Sequence, residues 1–438
     1  MRESRRSIVL MPPSHPTPAR RTGSPAVAPA LPWGRLLGIA TGSLALAAIW
    51  SLYNVFMPLL LGAFLESRAA RGAIMGLDNV LALLLIPVVG AWSDRVRGRW
   101  GRRLPFLLVA VPVASVAFAA LPWVGVALWL LIAVDLVFLL AITVYRAPLI
   151  ALMPDHVAPE ARPLANGVIT LVAAVGGVLA LVGLAPLAEG PVGPPFAAVP
   201  FAAAAALALV ALAVVVASSL RHPPHVEDGA VAADAPPVTA LVRDLRAGWR
   251  SAPAGAKPLL TGLFFAFFGF AAIEAQFSAF ATEGLEVAVG RAGTLLGVGS
   301  AAFVVAALPA AGLARRVGEG VAMRGGAAAL VLLLPVAGAL GDGAGLTAAM
   351  AGFGVAWALV LVPAYPLVAD LGGRGRVGLL TGFYYVAGSG AAIVAPAVAG
   401  AAMDAFGDRA LFAVAACAFA VAVVAFAFGA PRRASDVA

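Results

Sequence analysis

Three carboxylates, Asp78, Asp135 and Glu274, stand inside long apolar runs of a 438-residue chain that is 62% hydrophobic and 11% charged. An acid at the centre of an apolar helix costs about 2.5–3.5 kcal/mol on insertion scales, so such acids are rarely idle. Desolvation favours the neutral acid and a nearby arginine favours the ion, so a buried carboxyl can exchange a proton as its surroundings change. A proton-coupled carrier needs that chemistry, and Asp135, near the middle of its run, and Glu274 are the candidates for it. For Asp135 the alternative is structural pairing with another helix. For Asp78, beside Asn79 near a helix end, structural pairing is the preferred reading. Arg146 follows Asp135 by eleven residues, which puts both on one face of a helix but separates them by about 16 Å. They cannot pair directly unless the helix bends.

Neutral groups that suit sugar hydroxyls are few: Tyr53 and Asn54, Gln276, Tyr365, and Tyr384 with Tyr385, with Trp50 and Trp357 as aromatic faces. A sugar shows an apolar C–H face and a rim of hydroxyls, so aromatic rings beside amides suit it. Arg146 joins Tyr53, Asn54, Gln276, Trp357, Tyr384 and Tyr385 as a substrate-binding candidate, although each alone also fits plain packing. Trp33, Trp123 and Trp249 fit interface anchors. The histidines, including "HPPH" (222–225), lack Cys or acid at ligand spacing, so no metal site is expected. Without a Gly-rich phosphate loop there is no sign of ATP-driven transport, and the chain reads as a non-enzyme without catalytic residues or cofactors.

The elements that must hold these residues follow from composition. A soluble domain is about 25% charged, so this chain has far more apolar surface than a globule needs and belongs in a bilayer. Crossing takes about 20 apolar helical residues. Twelve runs meet that length, near 36–63, 73–93, 104–121, 124–147, 164–186, 197–219, 258–281, 291–313, 323–340, 345–368, 378–401 and 409–430. Small-residue stretches such as "AAVGGV" (173–178) and "AGSGAA" (387–392) predict close helix approach. Residues 1–33, rich in Pro, Ser and Arg, read as a disordered tail rather than a secretory signal. The single Cys417 excludes an intrachain disulfide.

Charge then sets orientation. The stretch "DRVRGRWGRR" (94–103) carries five arginines between two apolar runs. With both termini inside, only Arg68, Arg71, Arg291 and Arg409 of the 29 Lys and Arg fall on the outer side. That asymmetry predicts cytoplasmic termini in a multi-pass protein of the cell membrane. The net charge of +8 then reflects topology and anionic lipid, and no nucleic-acid motif accompanies it.

The predicted organisation is an N-terminal six-helix half (34–219), a polar linker (220–257), a C-terminal six-helix half (258–430) and a short tail (431–438). The halves look related: a shift of 215 residues superposes Pro148 on Pro363, Asp155 on Asp370 and Gly167 on Gly382. Parallel six-helix repeats about an axis along the membrane normal characterise the major facilitator transporters.

The motifs sharpen that likeness. "GAWSDRVRGRWGRRLPF" (90–106) resembles the loop signature of that superfamily, and its Ser-Asp-Arg and Gly-Arg-Arg-x-Pro-Phe form is similar to the sucrose and glycoside symporter branch. "LIAVDLVFLLAITVYRAPLIALMPD" (131–155) resembles the fourth helix of the sucrose-transporter group, including the Asp135 to Arg146 spacing. "YNVFMPLLLGAF" (53–64), "GLDN" (76–79) and "GFYYVAGSGAAIVAPAVAG" (382–400) look like bacterial members, and the second-half counterpart "GLARRVGEG" (312–320) departs by lacking the acid.

The resemblance implies an all-α polytopic fold of twelve transmembrane helices in two halves. It also implies a cytoplasmic gate of Gly90, Asp94, Arg95, Gly101, Arg102 and Arg103, with Asp94 facing the start of the eleventh helix near Gly378. An acid there accepts hydrogen bonds from a helix N-terminus, whose dipole favours it by about 0.3–1 kcal/mol. The bland alternative for the arginines is topology alone. The implied function is proton-coupled uptake of a sugar or glycoside by a monomer in a lipid bilayer. A proton-driven efflux antiporter for hydrophobic molecules is the alternative, recognisable by a cavity with apolar walls, and a non-transporting receptor or lipid-handling protein is the third.

Overall fold

The structure is a computed structural model that describes residues 32–96, 99–158, 161–188, 198–220, 246–253 and 255–429. The predicted tails (1–33 and 431–438) and linker (220–257) lie outside these residues, except for 32–33, 220, 246–253 and 255–257. Among the described residues twelve helices are long and apolar enough to cross a membrane: α1 (Trp33–Gly62), α2 (Arg68–Arg95), α3 (Leu104–Trp123), α4 (Leu128–His156), α5 (Leu164–Leu187), α6 (Val199–Leu220), α7 (Ala256–Gly284), α8 (Val289–Val317), α9 (Glu319–Ala339), α10 (Ala344–Leu371), α11 (Gly378–Phe406) and α12 (Ala410–Gly429). The described part is all-helical.

Each predicted run overlaps one of these helices; the run 124–147 starts four residues before its helix, and several helices are longer than their runs. Hydropathy marks what sits in hydrocarbon, whereas backbone hydrogen bonding carries a helix on into the polar zone. So α4 continues through Pro154 and Asp155 to His156, and α8 through Arg315 and Arg316 to Val317. One boundary differs in kind. The predicted runs end at 368 and resume at 378, yet the backbone between them is helical and helix continues from Ala344 to Phe406. Tyr365 Oη nevertheless lies 3.5 Å from Thr381 Oγ1. Sixteen residues of straight helix would hold them about 24 Å apart. The chain therefore reverses between them, and α10 and α11 are separate spans.

Each set of six helices closes around its own aromatic core. In the first, Phe118 packs between Phe138 at 5.3 Å and Phe201 at 4.8 Å, and Phe56 meets Phe201 at 5.2 Å. In the second, Phe280 meets Phe412 at 4.8 Å, and Trp357 lies near Phe419 at 6.2 Å. These rings interlock edge-on or tilted, the arrangements their quadrupoles favour. Small residues bring backbones together where "AAVGGV" predicts it: a methyl group on Gly176 would overlap the Leu44 carbonyl of α1. The "AGSGAA" stretch differs, because a methyl group added to Gly388 or Gly390 would meet only the rings of Phe267 and Phe264, at an ordinary contact distance of 3.6–3.7 Å.

Candidate functional site

A cavity of about 480 Å³ lies between the two sets of six helices, a volume suited to a drug-sized ligand. Helical spacing builds its walls. Ser51, Asn54 and Val55 face it from α1, and Thr170, Ala173, Ala174 and Gly177 from α5. From the second half come Phe267, Phe270 and Glu274, on one face of α7, with Ser300 and Phe303 of α8 and Phe353 and Trp357 of α10. The walls are mainly apolar and aromatic: Phe270 stacks on Trp357 at 4.6 Å and on Phe353 at 6.0 Å, both at 14°. Glu274 is the only charged side chain among the described lining residues. Asn54 Nδ2 donates to Glu274 Oε1 at 3.2 Å across the boundary between the halves.

A second polar group sits deeper in the first half. Asp135 is 2% exposed and comes within electrostatic reach of Tyr53 and Asp78. The Tyr53 hydroxyl and the Asp135 carboxyl are placed to share a hydrogen bond, and neither Asp135 Oδ1 nor the hydroxyl has another partner among the described residues. Asn79 Nδ2 donates to Asp78 Oδ1 at 2.6 Å. Arg146 does not reach Asp135, in accord with their axial separation. It lies within electrostatic reach of Asp78 and, in the other half, of Tyr385. Arg146 is exposed and makes no hydrogen bond or ion pair among the described residues. Tyr384 links Tyr365 at 5.6 Å and Tyr385 at 5.5 Å to the cavity ring Phe267 at 5.5 Å.

The two ends of the bundle are built differently. At the end where α2 and α3 join, Arg103 is 8% exposed and binds Ser93, Asp94 and Asp155, the last at 3.0 Å. Arg102 adds a longer contact to Asp155 at 3.4 Å. Gly101 has φ +75°, the left-handed conformation that glycine adopts without a Cβ clash. Asp94 pairs with Arg103 inside the first half, because the tight turn places the guanidinium beside it. Arg95 also stands at this end, and Gly90 has open space around it.

At the opposite end the charges cross between halves. Arg68 pairs with Glu283 at 3.0 Å and also with Asp408, and Arg71 pairs with Glu283. Asp404 of α11 accepts from the backbone N–H groups of Arg68 and Ala69 at 2.9 and 3.1 Å and from Ser67 Oγ at 2.8 Å. It thereby caps the start of α2, where the helix dipole favours an anion. Gln276 donates to the carbonyls of Arg68 at 3.2 Å and Pro396 at 2.8 Å. Its nitrogen thus braces backbone, and Gln276 is 1% exposed and outside the cavity lining. Methyl groups on Gly72 or Gly400 would overlap backbone of the other half.

Of the substrate-binding candidates, Asn54 and Trp357 line the cavity with the coupling candidate Glu274. Tyr53 is buried beside Trp50 at 5.4 Å and Phe138 at 5.2 Å. Arg146 lies within electrostatic reach of Asp78 and Tyr385, and Tyr384 packs against Tyr385. Residues not foreseen are the Arg68, Arg71, Glu283, Asp404 and Asp408 clasp, Asp155 as the hub of the opposite end, and the Phe267, Phe270 and Phe353 wall. Nothing in the linear sequence joins Arg68 to acids more than 200 positions away, whereas the spacing of Phe267, Phe270 and Glu274 does mark one helix face.

The profile of the Major Facilitator Superfamily matches residues 39–396. No curated protein sequence matches the chain. Among solved structures, a mutant of the nucleoside transporter NupG is similar with a TM-score of 0.70 and 14% identity, over 90% of this chain and 99% of that one. A bacterial homologue of the iron transporter ferroportin, in an inward-facing state, gives 0.68 and 15% over 92% and 100%. A bacterial homologue of the human lysosomal transporter Spinster, inward-facing and unoccupied, gives 0.66 and 15% over 91% and 95%. At these identities the likeness is one of fold.

Proposed function

The chain belongs to the major facilitator superfamily and is a multi-pass membrane transporter, and we propose that it carries a small molecule with a mainly apolar body, exchanged against protons by alternating access. The observation that carries this reading is the wall of the cavity between the halves, mainly aromatic and aliphatic, with Ser51, Asn54, Thr170 and Ser300 as scattered neutral polar groups and Glu274 as its one carboxylate among the described residues. Sequence motifs pointed first to sugar or glycoside uptake. Asn54 and Trp357 still suit a sugar, but Tyr53, Gln276, Tyr384 and Tyr385 are absent from the lining. Hydroxyl-rich ligands need many fixed polar partners, and these walls favour the hydrophobic class instead. Glu274 is the proposed coupling acid at the cavity and Asp135 a second one behind it, each in a place where losing charge on protonation changes its local energy most.

Alternation needs one end closed while the other admits the ligand. The inter-half clasp at Glu283 supports a state closed at that end. With Arg35, Arg102, Arg103, Arg315 and Arg316 at the opposite end, the positive-inside rule supports cytoplasmic termini in the cell membrane and a state open inward. The test is transport by the purified chain in proteoliposomes carrying a pH gradient, with labelled glycosides and labelled apolar amphiphiles side by side. Proton-gradient-dependent movement of amphiphiles, lost in Glu274→Gln, is expected. Movement of glycosides alone would return the assignment to a sugar carrier.

A further inference from the structure

Among the described residues Glu274 meets neither a basic residue nor a second donor. Its single hydrogen bond among the described residues comes from the neutral Asn54, and no ion pair reaches it. The nearby ionisable group within electrostatic reach is Asp78, of the same sign. Arg146 interacts with Asp78 and Tyr385 instead. A carboxylate in this setting lacks the cation that intramembrane acids ordinarily pair with. One and two turns along the same face of α7 stand Phe270 and Phe267, and Phe270 lies in a stack with Trp357 and Phe353. Phe267 meets Trp357 edge-on at 6.0 Å. Aromatic faces attract a cation within about 6 Å, tryptophan most strongly, and more so where water is excluded.

We infer that the cavity selects organic cations, such as amines or quaternary ammonium compounds with an aromatic or aliphatic body, with Glu274 as counter-ion and the Phe270–Trp357 stack as the surface against which the body and charge rest. The inference rests on the apolar-cargo reading and adds the sign of the charge. A neutral amphiphile would leave the carboxylate desolvated and unpaired, and an anionic one would also meet its repulsion, so the site discriminates by penalty as well as by attraction.

The test is equilibrium binding to the full-length protein in detergent, in one alkaline buffer that keeps the carboxylate ionised. The probes are a biphenyl carrying a trimethylammonium group, its neutral tert-butyl isostere, and the corresponding sulfonate. The wild-type chain is expected to bind the cation about tenfold or more tighter than the neutral isostere, and the sulfonate most weakly. Glu274→Gln is expected to remove most of that preference while the neutral isostere still binds. Trp357→Leu is expected to weaken both and to lower the preference partially. Equal binding of cation and isostere by the wild-type chain would overturn the inference and leave the apolar-cargo reading standing. Failure of all three probes to bind would overturn both.

Discussion

The two ends of the bundle hold similar charged residues but connect them differently. At the Glu283 end, arginines of α2 meet acids carried by α7 and by α11 with the loop after it, so the ion pairs join halves. At the Arg103 end, arginines of the α2–α3 turn meet Asp94 and Asp155 of the same half. An ion pair inside one rigid half is carried along when the halves rock, whereas one between halves must break. On the alternating-access reading proposed above, the same chemistry would be structural at one end and conformational at the other. The teaching is that charge content does not identify a gate; connectivity across the moving boundary does.

The sharpest way to break this comparison is steric. Gly72 and Gly400 let the start of α2 and the end of α11 meet backbone to backbone. Overpacking typically costs about 1–3 kcal/mol, and here the cost falls only on the state in which the Glu283 end is closed. Gly400→Ala is therefore expected to open that end. A cysteine at Leu181, beside Gly297 at the α5–α8 seam, should then react with an impermeant thiol reagent from that side in a Cys417→Ala background. Unchanged reactivity would show that the contact does not govern closure.

A smaller effect is expected from the clasp itself. Glu283 serves both Arg68 and Arg71, with side-chain exposures of 31%, 18% and 5%. A partly exposed pair lies between the surface and buried limits, so Glu283→Gln should cost the closed state about 1–2 kcal/mol. That raises labelling at Leu181→Cys by about tenfold. If labelling rises no more than for a substitution at Glu286, the clasp is decoration.

The smallest effect on the distribution of states belongs to the Arg103 end. Asp155→Asn removes a partner from two arginines and should lower thermal stability more than Asp94→Asn, after which Arg103 keeps Ser93 and Asp155. Neither should alter labelling at the Glu283 end. A strong loss of transport in Asp94→Asn with unchanged stability would instead show that Asp94 acts in the state open at Glu283, where the implied contact with α11 is made.

The twelve spans were legible because twenty apolar residues in a row have no other low-energy placement. Asp135 and Glu274 were legible as candidates because their burial follows from the runs around them. Gln276 was not, because the same amide can face a ligand or brace two carbonyls, and its neighbours from α2 and α11 decide which. Asp155 was visible as a repeat position opposite Asp370, but its service to Arg102 and Arg103 depends on the turn at Gly101.

Local physics determined the class of this protein: hydrocarbon demands helices whose backbone bonds are internal, and arginine placement biases the ends. The tertiary arrangement decided what each polar group does. Helix packing alone chooses which face of α7 meets α1, so it set Asn54 on Glu274, left that carboxylate without a basic partner among the described residues, and joined Arg68 to Glu283 more than two hundred residues away. Those pairings depend on distances between helices, and a linear sequence contains no such distance until the halves have packed.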